Sequence, residues 1–589
     1  MTHPQTHRYL RAIAAISASL LASLPLAHAQ TPADACLAAP LVAVPGSYTG
    51  STSAATNDGS ATCGQSSTTR DVWLKVSPAA NLALVASTCG GAAFDTVLSV
   101  HTACPGAAGS QIACLDDSCG QQSQLSVNVS AGATYFVRIA GFDGASGPFT
   151  ISLSYTPQPP APNAGPDIIV GEITDIARWG AVGGITAYNV GTTSCNIGTV
   201  DAQWVVNTNQ HPLIGQQMYR LKSGRFEQIG QSWLKHTFGT IDNGICGPCN
   251  GHLGQVLGVG CSDPYSAGQA GDIALLGPKW QVNATTGAYP YPFFNNPPPQ
   301  GTIGRRIQVA TSDVDPAQNA GAQYIFEAVY IANDDSLAGN GRNNYSHLPV
   351  TIASATSTPV AGGPTRRLRP AITAWKTVDS SVTEVNADYT ESGLPARFIV
   401  SAKATSNADN TWNYEYAVFN LNANRSGRGF TVPVSPGVVV TSTGFHDVAY
   451  HSGDGINGVS FDGTDWSPSF APGLVTWTTQ TFAQNPSANA LRWGTLYNFR
   501  FTASAPPRSG DASIELFKPG AGGEPASILA VGLPVPGCPA DWFENGVVNS
   551  QDFFEFVADF FSENADFNRD GLTTSQDLFD FLVSFFAGC

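Results

Sequence analysis

Trp412-Asn413-Tyr414-Glu415-Tyr416-Ala417-Val418-Phe419 alternates along its length, and Thr495-Leu496-Tyr497-Asn498-Phe499-Arg500-Phe501 repeats the pattern further on. Side chains on a strand change face at every residue, so this period of two is the mark of a half-buried β-strand. Near the other end, Leu125-Ser126-Val127-Asn128-Val129 alternates strictly. Thr134-Tyr135-Phe136-Val137-Arg138-Ile139 follows after an Ala-Gly turn, and Phe149-Thr150-Ile151-Ser152-Leu153 comes next. Composition agrees: 61 Gly and 40 Pro against 2 Met predict strands cut by turns rather than long helices. The expected class is mainly β, with several β-sandwiches and a small helical module at the C-terminus.

Turn-rich and proline-rich stretches predict the boundaries. Arg8 and Arg11 precede an apolar run over 12–26 that ends in Ala27-His28-Ala29. This predicts a signal peptide over 1–29 and a mature chain from Gln30, because the run is too short to span a bilayer and ends in small residues. A first domain over 30–157 closes on Thr156-Pro157-Gln158-Pro159-Pro160-Ala161-Pro162, with a linker at 158–164. A central β-rich domain over 165–356 follows, then a linker at 357–370 and a second sandwich-like domain over 371–518. A linker at 519–537 leads to a module over 538–589.

Charge narrows the partners. The net charge is −16, and residues 538–589 carry ten acidic residues against one arginine. A chain without a basic stripe is a poor match for nucleic acid, and no later apolar run predicts membrane insertion. The acidic tail calls for a local cation. The twelve cysteines fall into even groups. Cys36, Cys63, Cys89, Cys104, Cys114 and Cys119 form the first, Cys195, Cys246, Cys249 and Cys261 the second, and Cys538 and Cys589 the last. Even groups predict disulfides closed within domains, in an oxidising, extracellular compartment. A zinc site at Cys246-Gly247-Pro248-Cys249 with Cys261 and Cys195 or His252 is the competing assignment.

The tail holds two copies of one pattern. The stretch 566–577 supplies oxygens at the positions of a twelve-residue calcium loop: Asp566, Asn568, Asp570, the carbonyl of Leu572, Thr574 and Asp577. Gly571 sits at the sharp turn. The first copy keeps Asp541, Asn545, Val547, Asn549 and Asp552 but has Phe543 at the third position, so weaker binding is expected there. A helix is predicted after each loop. Phe553, Phe554, Phe556, Val557, Phe560 and Phe561 in one, and their counterparts from Leu578 to Phe586 in the other, give apolar faces that can bury each other.

On these motifs the module resembles type I dockerins, EF-hand-like domains with paired loops and Asp at the twelfth position. The resemblance implies calcium as cofactor. It also implies partner contact through Ser550-Gln551 and Ser575-Gln576, with a cohesin-like or cell-surface anchoring partner. The first domain resembles bacterial pre-peptidase C-terminal domains in Asp71-Val72-Trp73, Phe94-Asp95-Thr96-Val97-Leu98, Cys114-Leu115-Asp116-Asp117 and Tyr135-Phe136-Val137-Arg138-Ile139. That resemblance implies a jelly-roll accessory module, sometimes associated with calcium or carbohydrate. Asp95, Asp116 and Asp117 are then either calcium ligands or turn residues beside disulfides.

The central region carries the densest polar constellation: His211, Arg220, Glu227, Lys235 and His236, with Tyr219 and Trp233 among them. A base, an acid and a cation beside aromatic platforms are what a polysaccharide hydrolase or lyase needs. Ordinary strand residues of a polar β domain are the alternative. His446, Asp447, His451, Asp454, Asp462 and Asp465 form a looser cluster, either a metal site or a solvated loop. No Gly-x-Ser-x-Gly elbow, His-Glu-x-x-His helix or phosphate loop occurs. Two functions follow as expectations: an extracellular protein that binds or acts on polysaccharide, or a non-catalytic surface and adhesion protein.

Overall fold

Alternation along the chain produces antiparallel sheets throughout. The computed structural model describes residues 31–589 except 80–81, 105–107, 158–164, 242, 250, 253, 296–300, 544–546, 569–571 and 588–589. The expected signal peptide lies outside the described residues. No helix among those described is long and apolar enough to cross a membrane. The chain divides into two units, Met1–Ala161 and Pro162–Cys589.

The first unit has two four-stranded sheets. One runs in the order Gly46–Ser51, Pro148–Pro157, Leu82–Ser87, Gln124–Val129, the other Asp71–Val76, Tyr135–Gly141, Thr96–His101, Gln111–Leu115. Their inner residues, Leu84, Ile151 and Leu153 from one and Leu74, Val100 and Ile139 from the other, form a single core. Cys36–Cys104, Cys63–Cys114 and Cys89–Cys119 staple it. Behind Trp73 lies an ion pair with no exposed side-chain surface, Arg138 to Asp71 at 2.6 Å. Arg138 also donates to the carbonyl of Ser66 at 2.9 Å. Buried charges persist only when paired and hydrogen-bonded, and this pair is both.

The second unit begins with an eleven-stranded sheet. Its path runs from Ser262–Tyr265 through Ile185–Asn196, Ile307–Ala310, Arg225–Gln231, Leu213–Lys222, Gln323–Ile331 and Tyr345–Thr351 to Val360–Ala361. Two five-stranded sheets follow. Thr383–Glu391, Leu394–Ser406, Trp412–Asn420, Thr495–Ala503 and Val440–His446 make the first. Ser467–Ala471, Leu474–Thr478, Gly427–Pro433, Pro507–Leu516 and Ser527–Pro536 make the second. Tyr414, Tyr416, Phe499 and Phe501 of the first pack on Phe430, Trp477 and Ile514 of the second.

The opposite face of the first sheet is also buried. Ile399, Ala417, Phe419 and Leu496 join Leu213, Tyr219, Phe226, Ile325 and Val329 of the eleven-stranded sheet in one core. Polar groups close this seam. Arg225 forks onto Glu415, with Nη2 at 2.6 Å from the carboxylate. Gln228 accepts from Leu496 N–H at 2.7 Å, and Asn498 donates to the Phe226 carbonyl at 2.7 Å. Glu327, fully buried, accepts from Tyr219 Oη–H at 2.8 Å and Ala371 N–H at 2.5 Å.

Two stretches expected as linkers are part of the fabric. Within 357–370, Val360–Ala361 extends the large sheet, Arg366 bridges to His347, and Arg367 donates to the Gly171 carbonyl. Within 519–537, Ser527–Pro536 is an edge strand with Ile528, Ala530, Leu533 and Val535 inward. Pro534 and Pro536 fit there because an edge strand can spare N–H donors.

Phe419 is 1 % exposed in the shared core, so Phe419→Ala should cost about 3–5 kcal/mol. Hydrogen exchange should rise in Leu213–Lys222 and in Thr495–Ala503 alike. A rise confined to the sandwich would sink the shared-core account. Glu327 is pushed up to about 7, first by burial and against its two hydrogen-bond donors, from an ordinary value of 4.5. Its contribution is therefore fully present below about pH 4.5 and is lost as pH rises to about 7. The loss is about 3 kcal/mol at 1.4 kcal/mol per unit. Urea unfolding of Glu327→Gln across that window should lack this loss; an unchanged slope would reject it.

Candidate functional site

The central constellation straddles one hairpin, with only Arg220 and Glu227 on its two strands. Arg220 pairs with Glu227 across Leu213–Lys222 and Arg225–Gln231, while Lys235 pairs with Ile214 near the start of the first strand. Ile214 and Arg220 are six residues apart on an extended strand, which is about 20 Å at 3.3 Å per residue. His211 lies before that strand begins. The five residues therefore form two clusters.

In the first cluster, Arg220 meets Glu227 at 2.8 Å and Asp313 at 2.9 Å and donates to Asn319 at 2.9 Å. Both its terminal nitrogens are spent on structural partners while Nε is buried without one, and Asp313 and Asn319 come from a segment that the sequence pattern did not single out.

The second cluster holds the histidines. His211 and His236 have ring centroids 5.9 Å apart, with Tyr289 edge-on to both. His236 stacks on Phe293 at 4.3 Å, is fully buried, and has no hydrogen-bond partner on either ring nitrogen. His211 Nε2 accepts from Thr237 N–H at 3.0 Å, and its carbonyl accepts from Tyr289 Oη–H at 2.6 Å. Burial pushes His211 down to about 4 and His236 well below the usual imidazole range. Lys235, also buried, falls to about 8 by desolvation. Both imidazoles are neutral and sealed from solvent, a core arrangement rather than a proton-transfer pair. The aromatic run Tyr289, Tyr291, Phe293 and Phe294 was the sequence signal for their surroundings.

The looser cluster does not assemble on one ion. His451 is buried, its Nε2 donates to the Gln231 carbonyl at 2.8 Å, and its N–H meets Asp454 at 2.6 Å. Asp454 accepts in turn from Trp233 Nε1–H. Asp447 accepts from Asn489. The zinc assignment fails because the thiols are oxidised: Cys195–Cys246 and Cys249–Cys261 are disulfides. Among the described residues, carboxylate, imidazole and thiol ligands gather within 4.8 Å in threes at Asp95, Asp116 and Asp117 alone. Asp95 Oδ1 and Asp116 Oδ1 there are buried without a hydrogen-bond partner. Burial first, then the neighbouring Asp117 charge, raises both groups.

The C-terminal module places its repeat in register. Helices Ser550–Phe561 and Ser575–Ala587 each follow a loop. Phe556 and Phe581, 25 positions apart, stack face to face at 3.9 Å, with Trp542 and Phe567 beside them. Asn549 caps the first helix by accepting from Gln551 N–H at 2.7 Å. The two loops share one motif. Asp552 accepts from Phe543 N–H and Asn549 N–H, both at 2.9 Å. Asp577 accepts from Asn568 N–H at 3.0 Å and Thr574 N–H at 2.7 Å. Both carboxylates are fully buried, and Asp541 is 3 % exposed. These all-oxygen donors fit a hard cation. The Phe543 side chain is half exposed and offers no ligand. Asn545, Asp570 and Gly571 lie outside the described residues. Cys538 is disulfide-bonded, while Cys589 lies outside them too.

The helix faces are only partly spent on each other. Phe554 and Phe561 remain 67 % and 80 % exposed, and their repeat mates Phe579 and Phe586 are 60 % and 81 % exposed. No family model matches the chain, and no curated protein does either.

His211 is neutral in the fold, so its contribution to stability is present above about pH 6.5. It is lost as pH falls to about 4, as the unfolded chain takes up the proton first. The span corresponds to about 3 kcal/mol. His211→Gln should flatten that acid limb in urea titrations whatever its cost at neutral pH; a limb of unchanged steepness would contradict the buried neutral state.

Proposed function

We propose that this is a secreted polysaccharide-binding protein held in place through its calcium-loaded C-terminal module. The observation that carries the attachment half is the pair of fully buried loop carboxylates, Asp552 and Asp577, each gripped by two backbone N–H groups in the same pattern. An acidic loop that brings such groups together gains from a cation that neutralises them. Asp566, Asn568, Asp570, the Leu572 carbonyl, Thr574 and Asp577 hold calcium in the second loop. Asp541, Asn545, the Val547 carbonyl, Asn549 and Asp552 hold it more weakly in the first. In this reading the module is a dockerin-type pair of EF-hand-like loops, and the N-terminal sandwich is a jelly-roll accessory domain.

The exposed surface supports attachment. Ser550, Gln551, Ser575 and Gln576 are all exposed. The duplicated phenylalanines Phe554 with Phe561 and Phe579 with Phe586 add apolar area that a cohesin-like or surface partner would cover. Five described disulfides support an oxidising, extracellular setting. Binding is favoured over hydrolysis or lysis because His211 and His236 are sealed away from Arg220 and Glu227.

Calcium titration of the full chain should show saturable heat and raise the protease resistance of residues 538–589. Asp566→Ala with Asp577→Ala should abolish both. Resistance that is the same with chelator present would end the calcium account.

A further inference from the structure

Within the second unit a cavity opens between the segment around Lys279 and the loops that carry Phe461 and Arg492. It has room for water-sized groups over about 50 Å³, enough for a few waters or one small oxyanion. Trp280, Trp493 and Phe461 wall it, and Lys279, Arg492 and Lys518 supply its charge; no carboxylate lines it.

The three cations are held by neutral acceptors. Lys279 Nζ donates to Gln231 Oε1 at 3.0 Å. Lys518 Nζ donates to Asn424 Oδ1 at 2.8 Å. Arg492 donates to the carbonyls of Ala488 at 2.9 Å and Pro486 at 3.2 Å, and its guanidinium lies 3.5 Å from the centre of the Phe461 ring. Among the described residues none of the three forms an ion pair. In a chain of net charge −16 this gathers three cations without a direct ion pair, the carboxylates of Asp454 and Glu327 acting on Lys279, and that of Glu391 on Lys518, only from beyond contact distance. It carries a cost: desolvation pulls both lysines down to about 8, and for Lys518 the Arg492 charge adds to it. A bound anion would remove that cost. The guanidinium, stacked on a ring and tied to carbonyls, is already oriented to receive one.

We propose that this cavity binds the anionic substituent, a carboxylate or a sulfate ester, of an acidic saccharide, with Lys279, Arg492 and Lys518 as its counter-ions and the half-buried Trp280 against the sugar ring. The proposal rests on the polysaccharide reading above and names its charge class. Aromatic faces take the C–H side of a pyranose, and the cations discriminate an acidic sugar from a neutral one.

The test titrates the full chain with trigalacturonate, a sulfated disaccharide, neutral maltotriose and inorganic sulfate, following tryptophan fluorescence and heat. Both acidic sugars should bind, more weakly at high salt and above pH 8, and about tenfold or more tighter than maltotriose. Lys518→Gln and Lys279→Gln should each weaken acidic-sugar binding about tenfold or more without lowering the melting temperature. Maltotriose binding as tightly as trigalacturonate would overturn the cavity proposal while leaving the polysaccharide reading standing. So would acidic-sugar binding that both lysine variants leave unchanged. Inorganic sulfate binding as tightly as the sugars would overturn the saccharide assignment. No binding of any probe would overturn both.

Discussion

Tyr414, Tyr416 and Val418 face the sandwich core, while Ala417 and Phe419, on the other side of the same strand, face a core shared with the eleven-stranded sheet. One strand thus serves two hydrophobic layers, and everything in the second unit is arranged around that double burial. A seam between sheets also buries side-chain amides and charges, which cost free energy unless paired. Gln228 and the Arg225–Glu415 fork meet that requirement across the seam, and Asn498 meets it through its amide N–H while its Oδ1 stays unpartnered. The cavity walled by Trp280 and Trp493 exists because segments from both parts converge there.

Charge is segregated by the fold. The chain has 27 lysines and arginines against 43 acids. Some cations are locked into internal pairs, such as Arg138 with Asp71 and Arg220 with Glu227. Three others ring a cavity with no acid in its wall, and the densest acids sit in the C-terminal loops. One molecule therefore carries an acidic tail and a cavity lined by cations. Their opposite polarity follows from which residues are buried together, not from the net charge.

Legibility tracked locality. The helices after 549 and 574 were readable from the spacing of their apolar residues, whereas Asn549, read only as a loop oxygen donor, also caps the first helix. The strand Ser527–Pro536 was hard to read, because the period of two set by Ile528 and Ala530 slips by one residue before Leu533 and Val535 at a register shift, and its prolines made it look like a linker. His211 and Arg220 misled in the opposite way. Nine residues on a helix span about 14 Å, but on a strand about 30 Å, so proximity in sequence became separation in space.

The sequence by itself determined a mainly β chain, the even grouping of its cysteines and a duplicated C-terminal module, since each rests on periodicity or spacing within a short stretch. Tertiary structure alone decided that 357–370 and 519–537 belong to sheets and that Glu327 and Asp71 are buried. It alone decided that Lys279, Arg492 and Lys518 meet at one cavity. Those outcomes depend on residues brought together from distant strands, and no local pattern records which face of a strand a neighbouring layer will cover.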